Sequence, residues 1–325
     1  MRAVVHHRFG DPAEVLAVET VPTPEAGPGQ VRVRVLASPI HNHDLWTIRG
    51  TYGYRPELPA RAGTEAAGVV DALGEGVENL QVGRRVATGG TFGVWAEHFT
   101  APAAGLVPVP DGLPDEVAAQ VVAMPFSAIS LIDFLDLHDG DWLVQNAANG
   151  AVGRLVAQLA AARGLHVLGL VRRPAAVDEL AAQGITGVVA TDGAGWRERA
   201  REVTGGAPIV AGVDSVGGAA AGDVASLLAD GGTLVVFGAM AAPTLEIASG
   251  DVIFKQLVVR GFWGAKVSAA MAPAKRATLM GEVFRSLAAG TLTLPVAATY
   301  AFDDIAAAAA ASLDAGRVGK ILLRP

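Results

Sequence analysis

The stretch Asp141–Pro174, DWLVQNAANGAVGRLVAQLAAARGLHVLGLVRRP, reads as strand, glycine turn, helix and second strand. It constrains the fold more than any other feature, because that order specifies a parallel βαβ unit with a helix N-terminus at its turn. Trp142-Leu143-Val144 is the short apolar run expected of a buried parallel strand. Leu155, Val156, Leu159 and Ala160 recur at helical spacing, and His166–Val171 supplies the second strand. Asn149-Gly150-Ala151-Val152-Gly153 is the turn between them. Gly150 allows close backbone approach to a pyrophosphate, and Gly153 allows the helix to pack closely on the strand. The pattern is A-x-G-x-x-G from Ala148, so its first glycine is replaced. The free N–H groups and positive dipole end of the helix suit a phosphate. The alternative is an ordinary glycine-rich turn with no ligand. Asn146, at the end of the first strand, either orients nicotinamide or substrate or satisfies local backbone groups.

The end of the second strand bears on which dinucleotide is bound. An NAD site usually places Asp or Glu there for the ribose 2′-hydroxyl. This chain has Arg172 and Arg173, followed by Pro174. Guanidinium groups hold a 2′-phosphate through paired charge-assisted hydrogen bonds, so the expected cofactor is NADPH. Two solvated surface arginines are the competing reading.

At 325 residues the chain has length for about two domains. Hydrophobic residues make up 51%, which supports a large core. The net charge of −7 argues against a nucleic-acid partner. With no cysteine, disulfides, thiolate metal sites and cysteine nucleophiles are excluded together. The first residues, MRAVVHHRFGDP, lack a long apolar run, and no apolar stretch has the length to span a bilayer. The expectation is a cytoplasmic protein with no membrane partner.

Composition shifts along the chain. VRVRV at Val31–Val35 alternates strictly and reads as a half-exposed strand. Gly68–Leu73, Arg84–Ala87 and Trp95–Phe99 are further strand candidates among Gly and Pro turns. Val117–Leu135 is long, apolar and helix-compatible. After the βαβ unit come strands at Gly187–Ala190, Ile209–Asp214 and Thr233–Phe237, with helices near Trp196–Thr204 and Gly222–Leu228. Such alternation predicts a parallel sheet covered on both faces. Ala274–Ala289 reads as a helix, Ala306–Ala311 as one buried helix, and Lys320–Leu323 as a closing strand that rejoins the first domain.

In this order the pieces resemble the medium-chain dehydrogenase/reductase superfamily over essentially the whole chain. The resemblance implies an α/β protein: a GroES-like β-rich catalytic domain with an inserted Rossmann domain, a doubly wound parallel sheet. The expected boundaries are 1–117 for the GroES-like domain, 118–262 for the Rossmann NADPH-binding domain and 263–325 for the C-terminal return. The zinc alcohol dehydrogenases of the superfamily place ligands near the present Asn42-His43-Asp44 and a His-Glu pair where this chain has Thr64-Glu65. His41 and His43 remain, with no third ligand, so no metal is expected.

Among the zinc-free branches, three segments resemble mitochondrial-type 2-enoyl thioester reductases. They are Ile48-Arg49-Gly50-Thr51-Tyr52-Gly53, Val144-Gln145-Asn146-Ala147, and Ile253-Phe254-Lys255 with Arg260-Gly261-Phe262-Trp263. Quinone oxidoreductases come next. The first segment implies that Tyr52 is the catalytic tyrosine, with Tyr54 as its possible substitute. The resemblance places Asn42, Phe262 and Trp263 at a substrate pocket, although two aromatics are equally plain core. Lys255 and Arg260 are either contacts for a carrier phosphate or solvated charges.

The implied reaction is NADPH-dependent reduction of an activated C=C bond in a trans-2-enoyl thioester carried on CoA or acyl carrier protein. Hydride delivery to Cβ builds negative charge on the carbonyl oxygen, which a tyrosine hydroxyl is suited to stabilise. Two alternatives stand beside it: an NADPH:quinone or enone oxidoreductase, and a non-catalytic NADPH-binding protein. By analogy with relatives, a homodimer forms through an edge of the Rossmann sheet within Leu245–Val259.

Overall fold

The computed structural model describes residues 1–314 and 316–325. They form two compact units, 1–123 with 294–325 and 124–293. Residues 263–293 thus pack with the second unit, whereas the sequence reading grouped them with the C-terminal return. The physical reason is local. Helix Pro273–Ala288 buries Leu279, Met280 and Val283, while Glu282 binds Arg163 at 2.8 Å and Lys275 binds Asp133 at 2.5 Å.

The first unit is β-rich. Its largest sheet runs in the order Val296–Ala301, Lys320–Arg324, Gln30–Pro39, Ala66–Leu73, Arg85–Thr88, Val107–Pro108. His98–Pro102 pairs the other edge of Gln30–Pro39. The VRVRV alternation buries Val31, Val33 and Val35 and turns Arg32 and Arg34 outward, where Arg32 meets Asp71 at 2.9 Å. Leu322 and Leu323 of the closing strand pair antiparallel with Pro39 and Ser38. The alanine-rich helix, Ile305–Ala311, buries Ile305, Ala308 and Ala309 on one face.

Two expected elements differ. Trp95–Phe99 is not one strand; the strand is His98–Pro102. Trp95 is instead fully buried, its backbone bonded to Ala62 and Val4 and its indole N–H donating to the Pro39 carbonyl. The helix foreseen over Val117–Leu135 is broken into Asp115–Ala118 and Ala123–Leu135. A continuous helix would put Pro125 in its interior, where the ring clashes with the preceding turn. Starting afresh at Ala123 leaves Pro125 in the first turn. The Glu65 carboxyl accepts the new helix's Val122 and Ala123 N–H groups at 2.8 and 2.6 Å.

The second unit holds a six-stranded parallel sheet. Its order is Val188–Ala190, His166–Val171, Trp142–Gln145, Ile209–Asp214, Thr233–Val236, Val258–Gly261. The inner strands are short, largely apolar runs because helices cover both faces. The strand order reverses between Trp142–Gln145 and Ile209–Asp214, which is where doubly wound sheets bind ligands. At one edge, Val258–Gly261 is exposed along its length. Helix Ser249–Phe254 precedes it, within the segment expected to supply that edge.

Candidate active site

In the second unit, helix Ala151–Ala161 begins at the switch point with Gly150 as its N-cap. The first N–H groups of a helix lack intrahelical acceptors and face outward from its end. Two observations show how tightly this turn is built. A Cβ on Gly153 would lie 2.6 Å from the Ala147 carbonyl oxygen and 2.9 Å from Ala148 Cα. Ala147 itself sits at φ 49°, a left-handed conformation that alanine adopts at a cost of about 1 kcal/mol. Asn149, Gly150 and Val152 are half-buried, Ala151 is exposed and Gly153 is buried. This cradle fits a dinucleotide phosphate: a helix N-terminus with unpaired N–H groups and glycine at both Gly150 and Gly153. Arg172 and Arg173 stand exposed at the end of His166–Val171, with Arg173 3.4 Å from Glu179.

Asn146 is buried and fully engaged. Its amide donates to Asp214 Oδ1 at 2.5 Å and to the Ala220 carbonyl, and its oxygen accepts from the Ser215 N–H at 2.8 Å. It therefore ties together the ends of the two strands that flank the switch point. Gln145, which the sequence did not single out, donates to the Gly153 carbonyl at 2.7 Å and locks strand to helix. Phe262 is buried, edge-on to Phe134 at 5.3 Å and beside Phe237. Trp263 is half-exposed and caps helix Gly264–Ala270. Lys255 binds Asp251 at 2.9 Å and the Ser226 carbonyl, while Arg260 lies over the Phe134 ring.

In the first unit, helix Asn42–Arg49 carries the other candidates, with exposed Asn42 as its first residue. The His41 N–H donates to Asp44 Oδ2 at 2.9 Å, a reciprocal cap that fixes the first turn. Gly50 ends the helix at φ 74°, and Thr51 N–H bonds back to the Trp46 carbonyl. That left-handed reversal folds Tyr52 onto the helix. Its ring lies 5.8 Å from His43 and 6.5 Å from Trp46. Tyr54 goes elsewhere, against Phe92 at 4.3 Å.

Beneath Tyr52 lies a polar network built from the residues compared above with zinc ligands, whose hydrogen bonding the sequence did not reveal. His43 Nε2 meets Thr64 Oγ1 at 2.7 Å, and Thr64 donates to Asp44 Oδ1 at 2.7 Å. His41 stacks on His43 at 5.1 Å and bonds Glu65 Oε2 through Nε2 at 2.6 Å. Burial pushes Glu65 up to about 8 and His41 well below its ordinary value. Lys320, half-buried, is lowered to about 8 by its partial removal from water. The signal available in the sequence was the dense run His41-Asn42-His43-Asp44 at a helix start. Its partners Thr64 and Glu65 come from a loop more than twenty residues on.

Residues 27–111 match the alcohol dehydrogenase GroES-like domain, and residues 151–278 match the zinc-binding dehydrogenase domain. The human mitochondrial enoyl-[acyl-carrier-protein] reductase is 32% identical over 319 residues, spanning 96% of this chain and 86% of that protein. The chain belongs to the medium-chain dehydrogenase/reductase superfamily. Among solved members, a Pseudomonas syringae quinone oxidoreductase superposes with TM-score 0.88 at 28% identity, covering 100% of this chain and 99% of the other. A mycobacterial protein in complex with NADPH superposes with TM-score 0.88 at 27% identity, covering all of both chains.

Zinc chemistry, used by some members of this superfamily, does not suit the donors present. His41 Nε2 is spent on Glu65 and His43 Nε2 on Thr64. Among the described residues no group of three or more His, Cys, Asp or Glu converges to hold a metal ion. Nor, among those residues, is any helix long and apolar enough to cross a membrane.

Proposed function

We propose that this protein is an NADPH-dependent reductase of an activated C=C bond, acting on a trans-2-enoyl thioester of CoA or acyl carrier protein. One observation carries the reading: Tyr52 is folded by Gly50 onto a polar helix face, in a chain 32% identical to an enoyl-[acyl-carrier-protein] reductase. Gly150, Ala151, Val152 and Gly153, with Asn149, cradle the pyrophosphate. Arg172 and Arg173 hold the 2′-phosphate, Arg173 exchanging Glu179 for it. Asn146 serves by fixing the strand ends beside that cradle. When bound, the cofactor supplies a hydride to the substrate Cβ. The Tyr52 hydroxyl donates to the carbonyl oxygen as enolate charge develops, then passes its proton to Cα. Asn42, exposed at the start of the helix onto which Tyr52 folds, and Trp263, half-exposed, are substrate-pocket residues in this reading.

The test is NADPH consumption with a trans-2-enoyl-CoA and with a quinone, for wild type and Tyr52→Phe. Loss of the hydroxyl is expected to lower thioester turnover about a hundredfold or more. Quinone turnover alone, indifferent to the change, would refute the reading. It would favour an NADPH:quinone oxidoreductase, the alternative supported by the Pseudomonas syringae neighbour.

The same proposal includes a cytoplasmic homodimer. Its interface is the exposed edge Val258–Gly261, where Val258 and Val259 leave 46% and 42% of their surface to solvent. An unpaired apolar edge strand templates pairing with a second copy across a twofold axis. Sedimentation of Val259→Lys as a monomer, beside a dimeric wild type, would support it; a monomeric wild type would refute it.

A further inference from the structure

The hydrogen bonds around His43 specify where its exchangeable proton lies. Asp44 is buried and accepts at both carboxylate oxygens, from the His41 N–H and from the Thr64 hydroxyl. A hydroxyl has a single hydrogen, and Thr64 gives it to Asp44. Thr64 therefore receives the bond from His43, which fixes N–H at Nε2. Nδ1 is left as the nitrogen that gains or releases a proton. Asp44 Oδ1 also lies 3.6 Å from Nε2, so the charged ring has a carboxylate beside it. His41, stacked on the ring, is held neutral by burial, so it does not repel that charge. The ring packs against both His41 and Tyr52, with centroids 5.1 and 5.8 Å away, and leaves 22% of its side chain exposed, a route for protons from water.

We propose that His43, held by Thr64 and Asp44, replaces the Tyr52 proton in each turnover. This rests on the enoyl-reductase reading of Tyr52. The step balances simply. Hydride reaches Cβ with its electron pair while NADPH is oxidised and the thioester reduced. Tyr52 gives its hydroxyl proton to Cα, the resulting phenolate takes the Nδ1 proton of His43, and the imidazole regains a proton from water. His43 is a positioning residue for the Tyr52 proton and acts through that hydroxyl.

The experiment uses the full chain with NADPH and crotonyl-CoA, for wild type, Tyr52→Phe, His43→Phe and Thr64→Val. Phenylalanine keeps the aromatic stack and removes the proton. For His43→Phe the expected result is kcat lowered about tenfold to a hundredfold with KM little changed, an enlarged solvent deuterium effect, and partial rescue by added imidazole. Thr64→Val lowers kcat without imidazole rescue, because the histidine is still present. Turnover by wild type that is lost in Tyr52→Phe but kept in His43→Phe overturns the His43 role alone. A loss in His43→Phe with an unchanged isotope effect and no rescue also overturns it. A wild type that leaves crotonyl-CoA untouched overturns the underlying reading together with this one.

Discussion

Replacing Gly153 by alanine probes the nucleotide cradle directly. The new Cβ would stand 2.6 Å from the Ala147 carbonyl oxygen and 2.9 Å from Ala148 Cα, both backbone atoms. Ordinary contact begins near 3.4 Å, so helix and turn must separate by half an ångström or more. The turn is poorly placed to give way. Ala147 is already left-handed, and Gln145 holds the Gly153 carbonyl. Overpacking of this kind costs about 1–3 kcal/mol, against a helix-propensity gain for alanine of about 1 kcal/mol. The net expectation is a loss of up to about 2 kcal/mol, which lowers the melting temperature by up to about 8 °C for a unit of this size. The displaced N–H groups also lose alignment with a bound phosphate, and one such charge-assisted bond is worth about tenfold or more in affinity. Differential scanning fluorimetry and NADPH fluorescence titration read the two effects. Gly150→Ala is the control, since its Cβ meets only the Ala147 oxygen at 3.0 Å; it should weaken binding with a smaller stability loss. A Gly153→Ala protein as stable as wild type, with unchanged NADPH affinity, would refute the close-packing argument.

Other expectations follow from the same geometry. Arg172→Ala and Arg173→Ala should each raise the NADPH dissociation constant about tenfold to a hundredfold and leave NADH binding unchanged; equal effects on both cofactors would dismiss the 2′-phosphate role. Glu65, held protonated by burial to about 8 against an ordinary 4.5, binds a proton that the unfolded chain has released. Its contribution to stability is thus complete below pH 4.5, is eroded by up to about 1.4 kcal/mol per pH unit, and is gone once pH passes 8. Glu65→Gln keeps an acceptor for the Val122 and Ala123 N–H groups, so its urea midpoint should decline less than wild type between pH 5 and 8. Parallel profiles would contradict the assignment. Above pH 8 Lys320, lowered to about 8, acts with the opposite sign and restores stability toward 10.5.

What was legible in the sequence was what is local. His166–Val171 and Ile209–Asp214 are the strands their apolar patterns foretell, residue for residue, and the helix expected near Trp196–Thr204 lies there. The βαβ turn was legible because glycine at 153 answers a short-range steric need. Tertiary partners hid the rest. Trp95 is drawn out of its strand by Ala62 and Val4, and the helix break before Ala123 depends on Glu65, nearly sixty residues earlier. The His43–Thr64–Asp44 chain likewise forms only when a loop meets the start of a helix. Spacing alone could separate neither Phe262 from Trp263 nor core from surface. The fold buries the first among aromatics and turns the second outward.

The pairing of Leu322 and Leu323 with Pro39 and Ser38 has a bearing on how the chain is made. During synthesis the first unit is begun early, yet a strand one in from the edge of its large sheet arrives only after residues 124–293 have all been added. The nucleotide-binding unit, continuous in sequence, can close while the other waits with the flank of Gln30–Pro39 unpaired. Maturation then runs against the order of translation, with the inserted unit first and its host last.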